Sequence, residues 1–438
     1  MKSGWDRTGV KVSLGEVKAG QLGGRSMMRS ATTFEADAAS AGRVGRWIPR
    51  PTIPVQPVLS SETFLRRSKI TVPAITDVGN TIYVAAGRTA IALALELLGV
   101  RRNEKVLIPA YHCAAMVEPL SWVTAQPVFY ALREDLSVDL RDIASKIDRT
   151  TRVLMVPNFF GFPQDLETIR GFCDERGIKL LEDCAHSFFG SNAGRPLGSF
   201  GHLAVGSLTK FFPVRDGGCL VMPESGVGSP VAALRAEGIG ANLATLVDTV
   251  EDAVFHGRLR PLHPMMRLAT RAKRSLQAIA PSARTARAAN PAQMRSGKEG
   301  GFDPAWMGLR MTAASQLISR FATRARIVKG RRRNYAKLAE AFSGLRRCRP
   351  IFPKLPEGTV PYMFPLWIDH LSDVFPVLED RAVPMQRFGQ FPWAGVDEAL
   401  CPVSMGHAHH SIQLPCHQDL RDEEISLIID KVRELVEA

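Results

Sequence analysis

The stretch Leu180-Leu181-Glu182-Asp183-Cys184-Ala185-His186 ends a short apolar run with two carboxylates and a histidine. Other short apolar runs recur along the chain at residues 127–132, 153–160, 203–207 and 219–222. Between these runs lie amphipathic or charged stretches, such as residues 140–147 and 165–176. An alternation of buried strands and helices is typical of a mainly parallel α/β sheet, which binds its ligands at the carboxyl ends of the strands.

Asp183 and Lys210 each follow one of these predicted strands. The segment Ser207-Leu208-Thr209-Lys210 begins 24 residues after Asp183. A carboxylate after one strand and a lysine after the next are what a pyridoxal phosphate site requires, because the carboxylate keeps the ring nitrogen protonated and the lysine forms a Schiff base. Taken singly, such residues are more often a helix cap and a solvated surface charge. Their order and context favour the cofactor site.

A second candidate cofactor contact precedes the first predicted helix. Ala86-Gly87-Arg88-Thr89 leads into an apolar face at helical spacing, from Ile91 to Leu98, which Gly99 closes. The free backbone N–H groups at the start of a helix form a natural phosphate site. The alternative is that Thr89 is an ordinary N-cap without a ligand.

With these segments in place, the chain resembles the DegT/StrS family of fold-type I aminotransferases, which use pyridoxal phosphate and act on nucleotide-linked keto sugars. The resemblance runs from about residue 80 to the C-terminus and leaves out residues 257–300. The matching segments occur in the order of the family, at residues 87–91, 106–111, 182–186, 198–201, 207–210, 216–218, 309–311 and 414–420. The resemblance implies a large domain with a mainly parallel, mixed sheet flanked by helices, followed by a smaller C-terminal α+β domain.

The resemblance also implies roles for single residues. The implied catalytic residues are Lys210, which would form the Schiff base and shuttle the proton, Asp183, which would pair with the ring nitrogen, and His186, which would contact the cofactor ring or its phenolic oxygen. The cofactor-binding set that it implies adds Gly87, Arg88, Thr89, Tyr111, Ser207 and Arg310. Arg310 corresponds to a basic residue that tends to reach the cofactor phosphate of the neighbouring subunit, so a homodimer with shared active sites is implied.

Three positions depart from the family pattern. Cys113 stands where an aromatic residue usually stacks on the cofactor, Gly308 replaces an Asn near Arg310, and Phe211 replaces the Asn after the lysine. Lys210 itself is retained. This retention argues against the sugar-dehydratase branch of the family, in which histidine replaces the lysine.

The predicted function is therefore a pyridoxal-phosphate-dependent aminotransferase. It would transfer an amino group from glutamate to a nucleotide-linked keto sugar, in polysaccharide or glycosylated-metabolite synthesis. One alternative is a catalytically retired fold that binds nucleic acid or membrane, and another is a different pyridoxal-phosphate chemistry. The intact pair of Asp183 and Lys210 favours the enzyme over a retired fold.

The net charge of +13 over 438 residues is concentrated in two segments. Residues 1–50 have a net charge of +5 and residues 257–300 one of +9, which leaves −1 for the remainder. Because the rest of the chain is nearly neutral, its charge does not indicate a nucleic-acid partner. The predicted organisation is a poorly ordered basic tail (1–50), a large cofactor-binding domain (51–256), a basic insertion that is partly helical (257–300) and a smaller domain (301–438).

Cysteine usage and the absence of an apolar leader predict a cytoplasmic protein. The seven scattered cysteines form no CxxC pair, so they are expected to be reduced thiols. The metal-binding residue types near the C-terminus, Cys401, His407, His409, His410, Cys416 and His417, fit no regular zinc spacing, and no metal is predicted. The helix predicted in the insertion is expected to pack on its own protein; the alternative is peripheral docking to an anionic membrane.

Overall fold

The computed structural model describes residues 52–65, 72–223, 234–266 and 302–437. All of them belong to one compact unit, Ile48–Ala438. The predicted basic tail and most of the basic insertion, including the apolar helical face expected there, lie outside the described residues. Within the described part, no helix is both long enough and apolar enough to cross a membrane.

The main sheet has seven strands and is mixed but mostly parallel, as predicted. Its strands are β1 (Asn80–Val84), β2 (Lys105–Pro109), β3 (Gln126–Tyr130), β4 (Thr151–Pro157), β5 (Lys179–Asp183), β8 (Leu203–Ser207) and β9 (Gly218–Met222), and a two-stranded ribbon of β6 (Ser191–Asn192) and β7 (Arg195–Pro196) interrupts them along the chain. The order is β1-β9-β8-β5-β4-β2-β3, and β9 runs antiparallel to both of its neighbours. The other pairs are parallel, so their carboxyl ends meet at one edge.

The central strands are buried on both faces, which explains their nearly continuous apolar sequences. Successive residues of β4 alternate between two hydrophobic clusters: Leu154 and Val156 belong to one, and Val153 and Met155 to the other. The helices that cover the two faces and build the rest of the described chain are α1 (Gly87–Leu97), α2 (Ala114–Val117), α3 (Leu140–Lys146), α4 (Leu166–Glu175), α5 (Ile239–Phe255), α6 (Ala313–Phe321), α7 (Arg324–Phe342), α8 (Leu371–Asp380), α9 (Pro402–His410) and α10 (Asp422–Val436).

Side-chain caps define several of the helix starts. Asp139 accepts hydrogen bonds from the backbone N–H groups of Arg141 and Asp142 at α3, and Asp165 accepts one at α4. Helix α1 is different, because its N-cap is Ala86, which has no side-chain acceptor. Thr89 is the third residue of α1, so the alternative of an ordinary N-cap at Thr89 is wrong.

A second sheet lies in the C-terminal part of the chain. Its strands β10 (Cys348–Pro350), β11 (Met363–Ile368) and β12 (Ser411–Pro415) are antiparallel in the order β10-β11-β12. Helices α7 and α10 pack against each other, and α7 also contacts β10 and β11. This is the smaller α+β arrangement that the resemblance implied.

Candidate active site

A cavity of about 1,100 Å³ opens at the carboxyl edge of the main sheet. Residues that follow four of its strands line it: Gly87 after β1, Cys113 after β2, Asp183 at the end of β5, and Lys210 after β8. The opposite lining comes from the C-terminal part of the chain, which includes Tyr362, Arg387, Phe388 and Gln413.

The structure brings seven of the nine predicted site residues into this cavity. They are Gly87, Arg88, Asp183, His186, Ser207, Lys210 and Arg310. The other two, Thr89 and Tyr111, do not line it. The Thr89 side chain is fully buried in α1. The Tyr111 ring lies 4.9 Å from that of Phe388, and its hydroxyl is hydrogen-bonded to the Ser411 hydroxyl at 3.0 Å. Tyr111 is thus a core residue, and its neighbours His112 and Cys113 line the cavity in its place.

Lys210 and Asp183 form the electrostatic centre of the cavity. Burial lowers the pKa of Lys210, while nearby Cys113 and Asp183 act in the opposite direction. Burial raises the pKa of Asp183, and the charge of Lys210 opposes this shift. The Asp183 carboxylate also accepts a hydrogen bond from the backbone N–H of Ala185 at 2.9 Å. Each of the two groups therefore stabilises the charged form of the other in a site that would otherwise disfavour both.

The imidazole of His186 lies between two aromatic rings. Its centroid is 4.7 Å from that of Tyr362 and 5.6 Å from that of Phe160, at interplanar angles of 24° and 21°. The backbone N–H of Phe160 donates to Nδ1 of His186 at 3.3 Å, so the proton of the neutral ring resides on Nε2. Burial, reinforced by the charge of Lys210, holds the pKa of His186 well below its usual range. His186 is therefore a neutral donor at physiological pH.

The start of α1 suits a phosphate group. Ala86 provides no side-chain cap, so the first backbone N–H groups of α1 lack that acceptor. A side chain at Gly87 would come within 3.7 Å of the Ser207 Cβ, which shows how closely the helix start approaches the end of β8. The Ser207 hydroxyl lies 3.2 Å from that of Thr209, and both residues line the cavity. Thr209 was not among the residues selected from the sequence.

Two basic residues flank this helix start. Arg88 is already paired, since its Nε donates to the Glu118 carboxylate at 2.7 Å. Arg310 lines the cavity of its own chain, because it pairs with Val84 at the end of β1 in an antiparallel bridge. The half-buried Lys210, the buried carboxylate of Asp183 and this uncapped helix start with its two hydroxyls are together the set of groups that fits pyridoxal phosphate.

The aromatic lining was missed from sequence. Lys210 Nζ lies 5.3 Å from the centroid of the Tyr362 ring, and the ring of Phe388 packs edge-on against His186 at 5.3 Å. Phe160 lies three residues after the end of β4 and adopts a left-handed conformation with φ of 55°, which is uncommon for a bulky residue. Its position after a strand could have singled it out. Tyr362 and Phe388 reach the cavity only through tertiary packing, for which the sequence has no local signal.

Glu182, next to Asp183 in β5, has a structural role. Its buried carboxylate accepts hydrogen bonds from the backbone N–H groups of Gly198, Phe200 and Gly201, at 2.8, 3.1 and 3.2 Å. These bonds fix the loop that precedes β8. The loop in turn determines where β8, and therefore the turn that includes Lys210, begins.

Three of the histidines near the C-terminus, His407, His410 and His417, contact backbone carbonyl groups. His407 Nε2 contacts the carbonyl oxygen of Glu134 at 3.2 Å, and His417 Nε2 contacts that of Pro54 at 2.9 Å. Among the residues that the structure describes, no group of three or more His, Cys, Asp or Glu side chains could hold a metal ion.

The fold and the position of the site define an α/β protein of the fold-type I aminotransferase class. Residues 71–265 match the DegT/DnrJ/EryC1/StrS aminotransferase family. The structure is similar to Helicobacter pylori PseC, described as an aminotransferase involved in the biosynthesis of pseudoaminic acid (TM-score 0.60, 14% identity, 90% of this chain and 100% of that chain). It is also similar to a DegT DnrJ EryC1 StrS aminotransferase from Brucella abortus (TM-score 0.57, 17% identity, 83% and 87%).

Several of the curated relatives are amino-sugar synthases or transaminases by name, and others are L-glutamine:2-deoxy-scyllo-inosose aminotransferases. The GDP-perosamine synthase of Vibrio cholerae is 29% identical over 161 residues, which are 36% of this chain and 44% of the relative. The dTDP-3-amino-3,4,6-trideoxy-alpha-D-glucose transaminase of Micromonospora megalomicea subsp. nigra is 28% identical over 169 residues, 37% and 44% respectively. The chain thus spans less than half the length of these relatives.

Proposed function

We propose that this protein is a pyridoxal-phosphate-dependent aminotransferase that moves an amino group from glutamate to a nucleotide-linked keto sugar. The observation that carries the proposal is that Lys210, which is half-buried, and Asp183, which is buried, line one cavity beside an uncapped helix start. Buried ionisable groups of opposite charge in a cleft mark functional sites more often than surface pairs do. The names of the relatives support a sugar as the acceptor.

Each cavity residue has a separate role in the proposed reaction. When bound, pyridoxal phosphate supplies a carbonyl group that accepts the amino nitrogen and a ring that withdraws electrons. Lys210 would hold the cofactor covalently, and its Nζ would take up and return the proton, because its lowered pKa keeps the amine closer to its neutral, basic form. Asp183 would hold the ring nitrogen, and His186 would donate through Nε2. The backbone N–H groups of Gly87 and Arg88, with the Ser207 hydroxyl, would hold the phosphate.

The size and lining of the cavity support a large acceptor. Its volume of about 1,100 Å³ lies slightly above the range of about 300–1,000 Å³ typical of ligand pockets, so a cofactor leaves room for a second molecule. The rings of Phe160, Tyr362 and Phe388 line one side of it and would exclude water from the reacting atoms. Synthesis of a surface polysaccharide or a glycosylated metabolite in the cytoplasm is the setting that fits such a substrate.

A homodimer is part of the proposal. Helix α5 lines the cavity through Ala241, Ala244 and Thr245, while Ile239 and Leu243 are 82% and 58% exposed. Exposed apolar side chains one turn apart on a helix favour contact with another protein surface. A second copy placed there would lie beside the cavity. Sedimentation of the purified protein would give the mass of a dimer, and a monomer at micromolar concentration would contradict this part.

An absorbance titration tests the proposed function. The protein, purified with pyridoxal phosphate, should show the visible band of a lysine-bound cofactor, and glutamate should convert it to the spectrum of the aminated cofactor. Subsequent addition of a nucleotide-linked keto sugar should restore the first band. A protein that binds no cofactor would favour a retired fold, and one that binds it without responding to any amino acid would favour a different chemistry.

A further inference from the structure

Arg215 is an incompletely bonded guanidinium in the cavity wall. It lies on the segment between the turn with Lys210 and strand β9, and it lines the cavity. Its side chain is only 12% exposed, and its Nε and Nη1 atoms are buried without a hydrogen-bond acceptor. A buried donor without an acceptor costs free energy, so the side chain is prepared for a partner that is not part of the protein.

The nearest carboxylate does not meet this need. Asp252 Oδ2 lies 3.4 Å from Nη1 of Arg215, which is close enough for an ion pair but leaves both nitrogens without a hydrogen bond. The other oxygen of Asp252 lies 3.8 Å from His256 Nε2. Asp252 therefore offsets the charge of Arg215 in part and leaves its donors available.

Other cavity arginines are held by the protein itself. Arg88 donates to Glu118 at 2.7 Å. Arg387 has a buried Nε without an acceptor, but its Nη2 donates to the carbonyl oxygen of Ala408 at 2.8 Å and its guanidinium lies 5.1 Å from the Phe375 ring. Arg215 differs from both because no hydrogen bond fixes the two nitrogens on its buried edge.

We infer that Arg215 binds a carboxylate of the amino donor. The inference rests on the proposed function and adds the residue that recognises the donor. A planar guanidinium matches a carboxylate or a phosphate equally well, so the surroundings decide between them. Asp216, Glu237 and Asp248 line the same cavity, and they would disfavour a doubly charged phosphate group at Arg215 more than a singly charged carboxylate. An amino acid has an ammonium group that such carboxylates attract.

Equilibrium binding of glutarate, a dicarboxylate that lacks the reactive amine, tests this assignment by calorimetry on the full-length, cofactor-loaded protein. Arg215→Gln should weaken glutarate binding at least about tenfold, the loss expected for one charge-assisted pair. The matched variant Arg387→Gln removes the same charge from the same cavity and should change binding by less than about threefold. UDP, GDP and dTDP serve as parallel probes and should bind both variants as they bind the wild type.

The outcomes separate this inference from the proposed function. Unchanged glutarate binding in Arg215→Gln, or equal losses in both variants, would overturn the assignment, and a selective loss of nucleotide binding would identify phosphate as the ligand instead. If Arg215→Gln does not fold, Arg215→Lys and Arg387→Lys are compared in the same way, since lysine keeps the charge without the planar fork. If the wild-type protein reacts with glutamate, the proposed function stands, whichever result the Arg215 variants give.

Discussion

The cavity has two walls with different origins. One wall consists of residues that directly follow strands of the main sheet, among them Asp183, Ser207 and Lys210. The other comes from the C-terminal part and includes Tyr362 and Phe388. The first wall contains Asp183 and Lys210, whereas the second contributes the rings of Tyr362 and Phe388 together with Arg387. The order of the strands therefore fixes where Asp183 and Lys210 lie, whereas tertiary packing fixes where the rings that enclose the cavity lie.

Arg331 joins the two walls. This residue of α7 is fully buried, and its Nη2 donates to the carbonyl oxygen of Lys210 at 2.6 Å. Its Nη1 donates to the carbonyl oxygens of Pro361 and Tyr362 at 3.1 and 2.8 Å. One side chain thus fixes the backbone of Lys210 and that of Tyr362, which faces it.

The largest effect is expected from Lys210→Ala, which removes the ionisable centre of the first wall. The visible absorbance band should disappear, and turnover should fall about 10⁴-fold or more, because both the covalent link and the proton acceptor are lost. Lys146→Ala, which breaks a partly buried pair with Asp142 outside the cavity, is the control and should leave both unchanged. A Lys210→Ala protein that kept the band would contradict the assignment of Lys210 as the residue that binds the cofactor.

Asp183→Asn should lower turnover about 10²- to 10³-fold, as is typical when one electrostatic contact of an active site is removed. The pH dependence gives a second measurement. Because the charge of Asp183 raises the pKa of Lys210, its loss should move the pH midpoint that belongs to Lys210 downwards. Asp174→Asn on α4, where Asp174 is half exposed, is the matched control. A midpoint that moved upwards would contradict the described pairing.

Arg331→Met should destabilise the protein and disturb both walls together. Three carbonyl groups would lose their donor, so we expect the free energy of unfolding to fall by about 3 kcal/mol or more. Arg333→Met on the same helix removes a half-exposed pair with Asp422 and should cost less than about 1 kcal/mol. Urea unfolding measures both. Equal values for the two variants would show that Arg331 does not join the walls.

The smallest effect is expected from Tyr362→Phe, which keeps the ring of the second wall. The hydroxyl of Tyr362 accepts from Gln56 at 2.7 Å and donates to Gln386 at 3.3 Å, so its loss should cost about 1 kcal/mol of stability and little activity. Tyr362→Ala also removes the ring against His186 and should lower turnover further. If the two variants lost equal activity, the ring would not be the functional part.

The first wall could be predicted because its residues are determined by local order along the chain. A polar residue that ends an apolar strand lies at the ligand-binding edge of a parallel sheet, which the sequence shows directly. Arg331 and Lys210 are 121 positions apart, and no periodicity relates them. Helix α5 was not predicted from the sequence, because exposed Ile239 and Leu243 blur the amphipathic pattern that marks a helix packed on one core.

The positions of the two adjacent carboxylates of β5 depend on the register of that strand. Side chains of successive strand residues point to opposite faces, so Glu182 and Asp183 serve separate purposes: one fixes the loop at residues 198–201 and the other belongs to the cavity. The register of β5 with β8, in which Glu182 pairs with Ala204 and Asp183 with Val205, keeps each carboxylate on its own face of the sheet. If β5 slipped by one residue, Glu182 would face the cavity and Asp183 would face the loop. The sequence would be unchanged, but the cavity would no longer contain the Asp183 carboxylate.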